Sequence, residues 1–486
     1  MSKKRFDSTT RRTWFLTFIA LSVVAAQSYA QFPEDALRFA TPGVGVGARS
    51  LGMGNAYTGV ASDFSAIYWN PAGLAQMEHG EFSLGLSQLN YKGKGTFFGG
   101  SNSLANNATN LNSLGLVYPV PVHKGSLVLA FGYARQSNFT TGLSFEGFNP
   151  NSSIIQTFAR DGASFPSDLS DNLAYQLFLS DIDTVNGTFI SPIRDRVTQI
   201  GRVLEGGGLN NWSVAGAVDI GRDLSAGLTL TYLSGSYKYE REYTEQDNDA
   251  SHTVFPFDFD QLTIDEFVES DISGVNAKLG LLYRVPSRFR FGIGVKTPTS
   301  FHVREDFGTT ASSFFDDGAV FPTDGPFESF ASGEYDVITP WVFSGGLSVI
   351  IRDLVLSGDV EYTDWTQLEF DDANPDVIAL NKDIKEIFRA TANLRVGLEY
   401  DIRKYGVRVR GGFIYNTSPY EQDRSSAFDQ KYVTGGLGIL LSGSTMLDIA
   451  YARGWWQTDR VNYDGTSRVD EKITTNNFLA TVSYRF

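Results

Sequence analysis

Cysteine is absent from all 486 residues, which excludes disulfides and thiolate metal sites. A chain without such cross-links must be held together in another way, and closure of a sheet on itself would do it. Histidine is scarce as well. His79, His123, His252 and His302 stand in no metal-ligand spacing, so no metal site is expected. A Gly-x-Ser-x-Gly elbow, a Walker A loop and a complete Gly-x-Gly-x-x-Gly are missing too; Gly45-Val46-Gly47 comes near the last but lacks a preceding strand. Neither an enzyme nor a cofactor is expected. Positive charge is in deficit, at a formal net −15, which disfavours nucleic acid and anionic membrane surfaces as partners. Beyond residue 90 no apolar run reaches the roughly 18 residues that a membrane-spanning helix requires.

What is present begins with a targeting pattern. Lys3, Lys4, Arg5, Arg11 and Arg12 precede an apolar run from Trp14 to Ala26, and Ser28-Tyr29-Ala30 follows as a small-x-small cleavage site. Residues 1–30 therefore read as a secretory signal peptide cleaved before Gln31. The run is too short to anchor the chain as a helix. Arg11-Arg12 hints at twin-arginine export, but a membrane barrel cannot fold in the cytoplasm first.

From residue 80 to the end, segments with a period of two recur. In Arg389 to Ile402 the residues Ala392, Leu394, Val396, Leu398 and Tyr400 share one face, and Asn393, Arg395, Gly397, Glu399 and Asp401 the other. Such alternation predicts strands at 80–90, 112–120, 126–136, 209–220, 223–240, 271–285, 288–305, 332–351, 353–370, 389–402, 405–416, 430–442, 445–460 and 472–486. Fourteen antiparallel strands with short links after the even ones and long links after the odd ones describe a transmembrane β-barrel, apolar outside and polar inside. A soluble sandwich would turn its apolar face inward. This register puts both chain ends in the periplasm. Tyr484 and Phe486 at the C-terminus resemble the signal read by the outer-membrane insertion machinery.

The longest connector, about 137–208, carries a candidate short helix around Asp171 to Leu179 that could cap the pore. Residues 31–79 do not alternate. They hold Gly43, Gly45, Gly47, Gly52, Gly54 and Gly59, with Asp63 a candidate N-cap for a helix through Trp69, and Asn70-Pro71 for another. A fourteen-stranded cylinder is too wide for side chains alone to fill, so this segment is placed inside as a hatch. Strands 1, 3 and 4 turn in small residues (Ser83, Gly85, Ala130, Gly132, Ala215, Ala217), and strands 9 to 11 turn in Asp359, Glu361, Arg395, Glu399, Arg408 and Arg410. The hatch is expected to pack on the small-residue half.

Several of these stretches resemble the FadL-type long-chain fatty acid transporters of outer membranes, a family that includes relatives associated with aromatic hydrocarbon uptake. They are Gly47 to Gly54, Asn70-Pro71-Ala72, Asp359 to Trp365, Arg395 to Tyr400 and Leu447 to Tyr451. The resemblance implies a hatch-closed barrel of 14 strands in which an apolar ligand is captured, held in the lumen and released sideways through a defect in strand 3. It maps Asn70, Pro71 and Ala72 to the hatch element beside that gap. Gly132 is the candidate for the defect, because glycine within a strand marks a bulge or close approach. The mature N-terminus, Gln31-Phe32-Pro33-Glu34, departs from the family's ligand-contacting tail, which leaves the pocket residues and the ligand open.

The leading expectation is passive uptake of long-chain fatty acids or aromatic hydrocarbons, with a shuttle of type IX secretion as the alternative on the same fold. A general porin is disfavoured by the hatch. Expected partners are outer-membrane lipids and lipopolysaccharide, the hydrophobic ligand and the insertion machinery, for a monomer.

Overall fold

The computed structural model describes residues 32–161, 172–183, 188–248, 258–285 and 288–486. The expected signal peptide and Asp171 lie outside the described residues.

Fourteen antiparallel strands form one closed sheet. We number them β1 (Glu81–Phe97), β2 (Gly100–Val120), β3 (Leu127–Asn138 and, after a break, Thr141–Asn149), β4 (Val197–Asp219), β5 (Leu224–Gln246), β6 (Phe259–Val285) and β7 (Phe289–Lys296 and Ser300–Phe315). The second half comprises β8 (Phe327–Ile338 and Val342–Ile351), β9 (Leu354–Asp364 and Glu369–Asp371), β10 (Ala390–Ile402), β11 (Val407–Asn416), β12 (Gln430–Ser442), β13 (Thr445–Val461) and β14 (Arg468–Arg485). Pairing of β1 with β14, from Glu81↔Arg485 to Thr96↔Asp470, closes the cylinder, so the wall has no lateral edge at its seam.

The wall is apolar on the outside. Leu394, Val396, Leu398 and Tyr400 of β10 are 41 to 53% exposed, whereas the intervening Arg395 and Glu399 are 8% and 5% exposed. Only hydrocarbon as solvent makes that arrangement favourable.

Several connectors are shorter than expected: strand occupies Thr141–Asn149 and Val197 onward within the expected connector 137–208, and the first connector almost vanishes. The link from β1 to β2 is the two-residue turn Phe98-Gly99, with φ of +43° and +87°, instead of a long loop. Both strands continue beyond the apolar band as a hairpin that faces water, and there the apolar signal that marks strands in sequence fades. For the same reason β5 and β6 run on to Gln246 and from Phe259. With 23 and 27 residues they are about twice the 9–11 that a tilted strand needs to span a bilayer. The outer face of β5 records the boundary: Leu228, Leu230 and Tyr232 give way to Lys238, Glu240 and Glu242.

At the long-loop end, α4 (Ile155–Asp161) and α5 (Leu173–Gln176) roof the barrel. The helix expected in this connector is α5, capped by Asn172, whose side chain accepts from Tyr175 N at 3.0 Å. Ile154, Ile155, Leu173 and Leu177 pack there with Leu143, Phe145, Val197 and Leu262 of the extended wall.

Candidate functional site

The N-terminal segment before β1 lies inside the cylinder as a string of short elements: α1 (Pro33–Ala40), α2 (Ala48–Gly52), α3 (Ala66–Trp69) and a 3-10 turn, Pro71–Gln76. Asn70 caps the last, accepting from Ala72 N at 3.1 Å, and Pro71 supplies its first residue. Asp63 steadies the approach to α3 by accepting from Ser65 N at 3.0 Å, while the N-cap position itself falls on Ser65.

The hatch meets the wall on every side. Met53, Tyr57, Val60 and Phe64 pack on Val117, Val128, Ala130, Ala215 and Ala217, the expected small-residue half. The opposite half is clamped by charge. Arg49 donates through Nε and Nη2 to both oxygens of Glu399, at 2.9 and 2.8 Å, and Arg410 donates to Glu399 at 2.7 Å and to Asp448 at 2.6 Å. Asp359 accepts from the backbone of Tyr57 and Thr58 at 2.8 and 2.7 Å, and Glu361 holds Arg395 at 2.8 Å. Of the six charged residues expected to line the lumen, Glu361 and Arg395 border open space, whereas Asp359, Glu399 and Arg410 lie against the hatch. Arg408 stands apart, 3.6 Å from Asp401.

Between these contacts runs a belt of glycines where wall and hatch backbone touch. A Cβ built at Gly280 would lie 2.0 Å from Asn70 Oδ1, at Gly227 2.4 Å from Pro71 C, at Gly292 2.2 Å from Thr58 O, at Gly397 2.0 Å from Met53 O and at Gly412 2.3 Å from Gly54 N. No other side chain fits such spacing. Pattern reading missed this belt, although inward parity on the strands was a usable signal.

Asn70, Pro71 and Ala72 are not beside a gap: they sit against β5, β6 and β7, and Asn70 Nδ2 donates to Thr58 O at 2.9 Å and Leu281 O at 3.1 Å. Nor does Gly132 mark a defect. It pairs with Gly115 on one side and Ser213 on the other, and a Cβ there would meet the Phe64 ring at 2.5 Å. The interruption of β3 comes later. Its register to β4 slips between Arg135 and Ser137, and the strand breaks at Phe139-Thr140. Hatch residue Gly43 stands behind that break, donating its N–H to Gln136 O at 2.8 Å. On the neighbouring β2 the bulged Asn112 accepts from Gly47 N at 3.1 Å and donates to Gly45 O at 3.3 Å.

Above the hatch is a cavity of 2640 Å³. Trp69, Phe139, Trp365, Tyr432 and Trp456 supply aromatic surface, and Leu37, Val377, Leu380 and Ile387 aliphatic surface. Its polar side includes Lys278 and Lys296, which sequence reasoning overlooked even though Lys278 has inward parity between Asn276 and Gly280. Lys278 Nζ donates to Tyr68 O at 2.5 Å. Among the described residues neither lysine has a carboxylate within ion-pair distance, Glu361 being held by Arg395. The site can accept an apolar body with an anionic end.

At the other end of the chain Tyr484 and Phe486 face outward, 49% and 56% exposed, and Phe486 exchanges backbone hydrogen bonds of 3.0 Å with Gly80.

A family profile described as "Outer membrane protein transport protein (OMPP1/FadL/TodX)" matches residues 209–486. No curated protein matches the chain. Among solved structures, the P. putida toluene transporter TodX is similar at 15% identity and TM-score 0.55, over 91% of this chain and 99% of the other. A Pseudomonas aeruginosa FadL homologue gives 14%, 0.55, 91% and 98% in the same order. The CymD monoaromatic hydrocarbon channel gives 15%, 0.51, 91% and 98%.

Proposed function

Because this chain belongs to the OMPP1/FadL/TodX family of outer-membrane transport proteins, we propose that it carries hydrophobic compounds passively inward, long-chain fatty acids first and aromatic hydrocarbons second. It is a transporter and not an enzyme. The observation that carries the reading is the aromatic-lined cavity directly above a sealed hatch and next to the break in β3. A sealed floor is useless to an aqueous pore, whereas a sideways exit lets an apolar molecule partition into hydrocarbon. Lys278 and Lys296, which have no carboxylate within ion-pair distance among the described residues, favour a ligand ending in a carboxylate.

In this reading residues 1–30 are a cleaved leader, 31–79 the hatch and 80–486 the barrel. The long loops face outward, both termini face the periplasm, and Tyr484 and Phe486 serve insertion into a bilayer of lipid and lipopolysaccharide as a monomer. The gate lies at Gln136 to Thr140 with Thr41 to Gly47 behind it, in place of Gly132 and Asn70 to Ala72.

A deletion strain should take up labelled oleate, and more weakly toluene, at a reduced rate that the intact gene restores. Unchanged uptake together with lost surface display of secreted proteins would replace import with a role in secretion.

A further inference from the structure

The outer wall of β13, β14 and β1 changes character along its height. Leu86, Ile449, Phe478 and Val482 are exposed there as part of the apolar band. Further towards the long loops, on the same face, come Arg453, Lys472, Lys92 and Lys94, all exposed. The register brings them together. Lys94 of β1 stands directly opposite Lys472 of β14, and Lys92 stands opposite Thr474 in the next row. Directly opposed side chains have Cβ atoms about 5 Å apart, and residues i and i+2 of one strand are about 7 Å apart, so the three lysines share one small patch. Arg453 adjoins it, opposite Asn476 on β14.

Such a patch works against the sheet that carries it, because like charges facing each other across a ladder are destabilising. The nearest carboxylates are engaged elsewhere: Glu471 turns inward to Arg460 at 3.3 Å, and Asp459 is held by Arg468. Asp470, two residues beyond Lys472, makes no ion pair with it, and none of the four cations has one among the described residues. On the far side of the barrel the outward cations are matched, Arg202 with Glu242 at 3.1 Å, Lys238 with Glu269 at 2.6 Å and Arg304 with Glu334 at 2.8 Å. In a chain of formal net charge −15 an unmatched cluster is a departure, and the acidity that disfavours anionic surfaces does not extend to it.

Between the cations and the apolar band lies a groove of 550 Å³ lined by Gln88, Asn90, Tyr451, Asn476 and Phe478. Each amide commits one atom to a neighbour: Gln88 Oε1 accepts from Thr109, Asn90 Nδ2 donates to Asn107 at 2.5 Å, and Asn476 Oδ1 accepts from Tyr451 OH at 2.7 Å. Gln88 Nε2, Asn90 Oδ1 and Asn476 Nδ2 have no partner among the described residues. Trp455 fixes the level. It is exposed in the same row as Thr474 and Lys92, and outward tryptophan sits at the headgroups of a bilayer.

We propose that this surface docks the phosphorylated head of the outer-leaflet glycolipid, lipopolysaccharide. The lysines and Arg453 bind its phosphates, the groove amides bind its sugar hydroxyls, and the apolar band receives its acyl chains. A phospholipid offers one phosphate, too few for four cations. A phosphate seated between Lys94 and Lys472 turns repulsion into attraction across the β1–β14 seam that closes the cylinder. The inference rests on the outward placement of the long loops.

The test titrates the purified protein in detergent with lipopolysaccharide, with the same lipopolysaccharide stripped of its phosphates, and with phosphatidylglycerol. The parent should bind the intact glycolipid about tenfold more tightly than either of the others. Lys92→Gln/Lys94→Gln/Lys472→Gln should lose about tenfold of that affinity, whereas Arg202→Gln/Lys238→Gln/Arg304→Gln, which removes as many charges from the far wall, should bind as the parent does. The parent's preference among the three lipids needs no variant to fold. Equal binding of all three lipids, undiminished binding by the first variant, or an equal loss in the second overturns the docking site. In this cysteine-free chain Ser101→Cys, exposed near the hairpin tip, should react with an impermeant maleimide on intact cells. Failure to react overturns the outward placement, a result distinct from lost binding by a protein whose hairpin does react.

Discussion

Arg49 of the hatch and Glu399 of β10, 350 positions apart in sequence, form a two-pronged pair in which each carboxylate oxygen accepts one guanidinium N–H. Their side chains are 15% and 7% exposed, so most of the screening by water is gone. Removing one partner strands the other: Glu399→Gln leaves Arg49 and Arg410 without their shared anion and should loosen the hatch by about 3 kcal/mol. In planar bilayers the variant should pass more ion current than the parent. Equal current would mean that this pair does not hold the hatch.

The glycine belt makes a steric prediction. Gly412→Val must displace Gly54, since even a Cβ comes within 2.3 Å of its nitrogen. Gly411→Val is the control, its Cβ meeting nothing nearer than Thr434 O at 3.9 Å. Both variants should insert as heat-modifiable barrels. Only the first should expose the hatch to protease and destabilise its seating by about 1–3 kcal/mol.

Charge in the cavity separates ligand classes. Replacing both lysines, as Lys278→Met with Lys296→Met, should weaken oleate binding about tenfold, or about 1.4 kcal/mol, and leave toluene unchanged. Competition with a fluorescent fatty acid measures the first effect, and equal weakening of both ligands would remove the lysines from carboxylate recognition.

Acid should tighten the roof. Glu245, well beyond the apolar band on β5, accepts from Ser153 Oγ, Ile154 N, Gln199 Nε2 and Tyr243 OH at 2.5 to 2.9 Å. Burial nevertheless raises its pKa above the ordinary value of 4.5, outweighing those donors. The folded carboxylate therefore binds a proton more readily than the unfolded one, and roof stability rises as pH falls from the raised pKa towards 4.5. Amide exchange of Ser153 to Thr157 should slow over that window, and Glu245→Gln should flatten the dependence. Faster exchange on acidification would show the charged form to be the better fit.

How far the sequence could be read follows from the range of each signal. The alternation of Leu394 with Arg395 is local, because a strand between hydrocarbon and lumen writes its two solvents into neighbouring residues. Asn70 and Pro71 announced their turn equally locally, by the donor that proline lacks and the cap that asparagine supplies. The hairpin of β1 and β2 did not show itself, since a strand with water on its outer face has no apolar side to betray it. Gly132 was misread as a defect because a glycine admitting a neighbour's ring leaves the same letter as one at a break.

By itself, then, the sequence determined the closed apolar-out barrel, the lack of thiol chemistry, and a separate segment to fill the middle. Which hatch residue met which strand was decided by closure, for Gly411 and Gly412 are alike in sequence and only the register of the whole cylinder aims one of them at Gly54. The same holds for the break in β3: whether the strand beyond it pairs with β2 or only with β4 depends on backbone groups that every residue carries, and so leaves no mark in side-chain pattern.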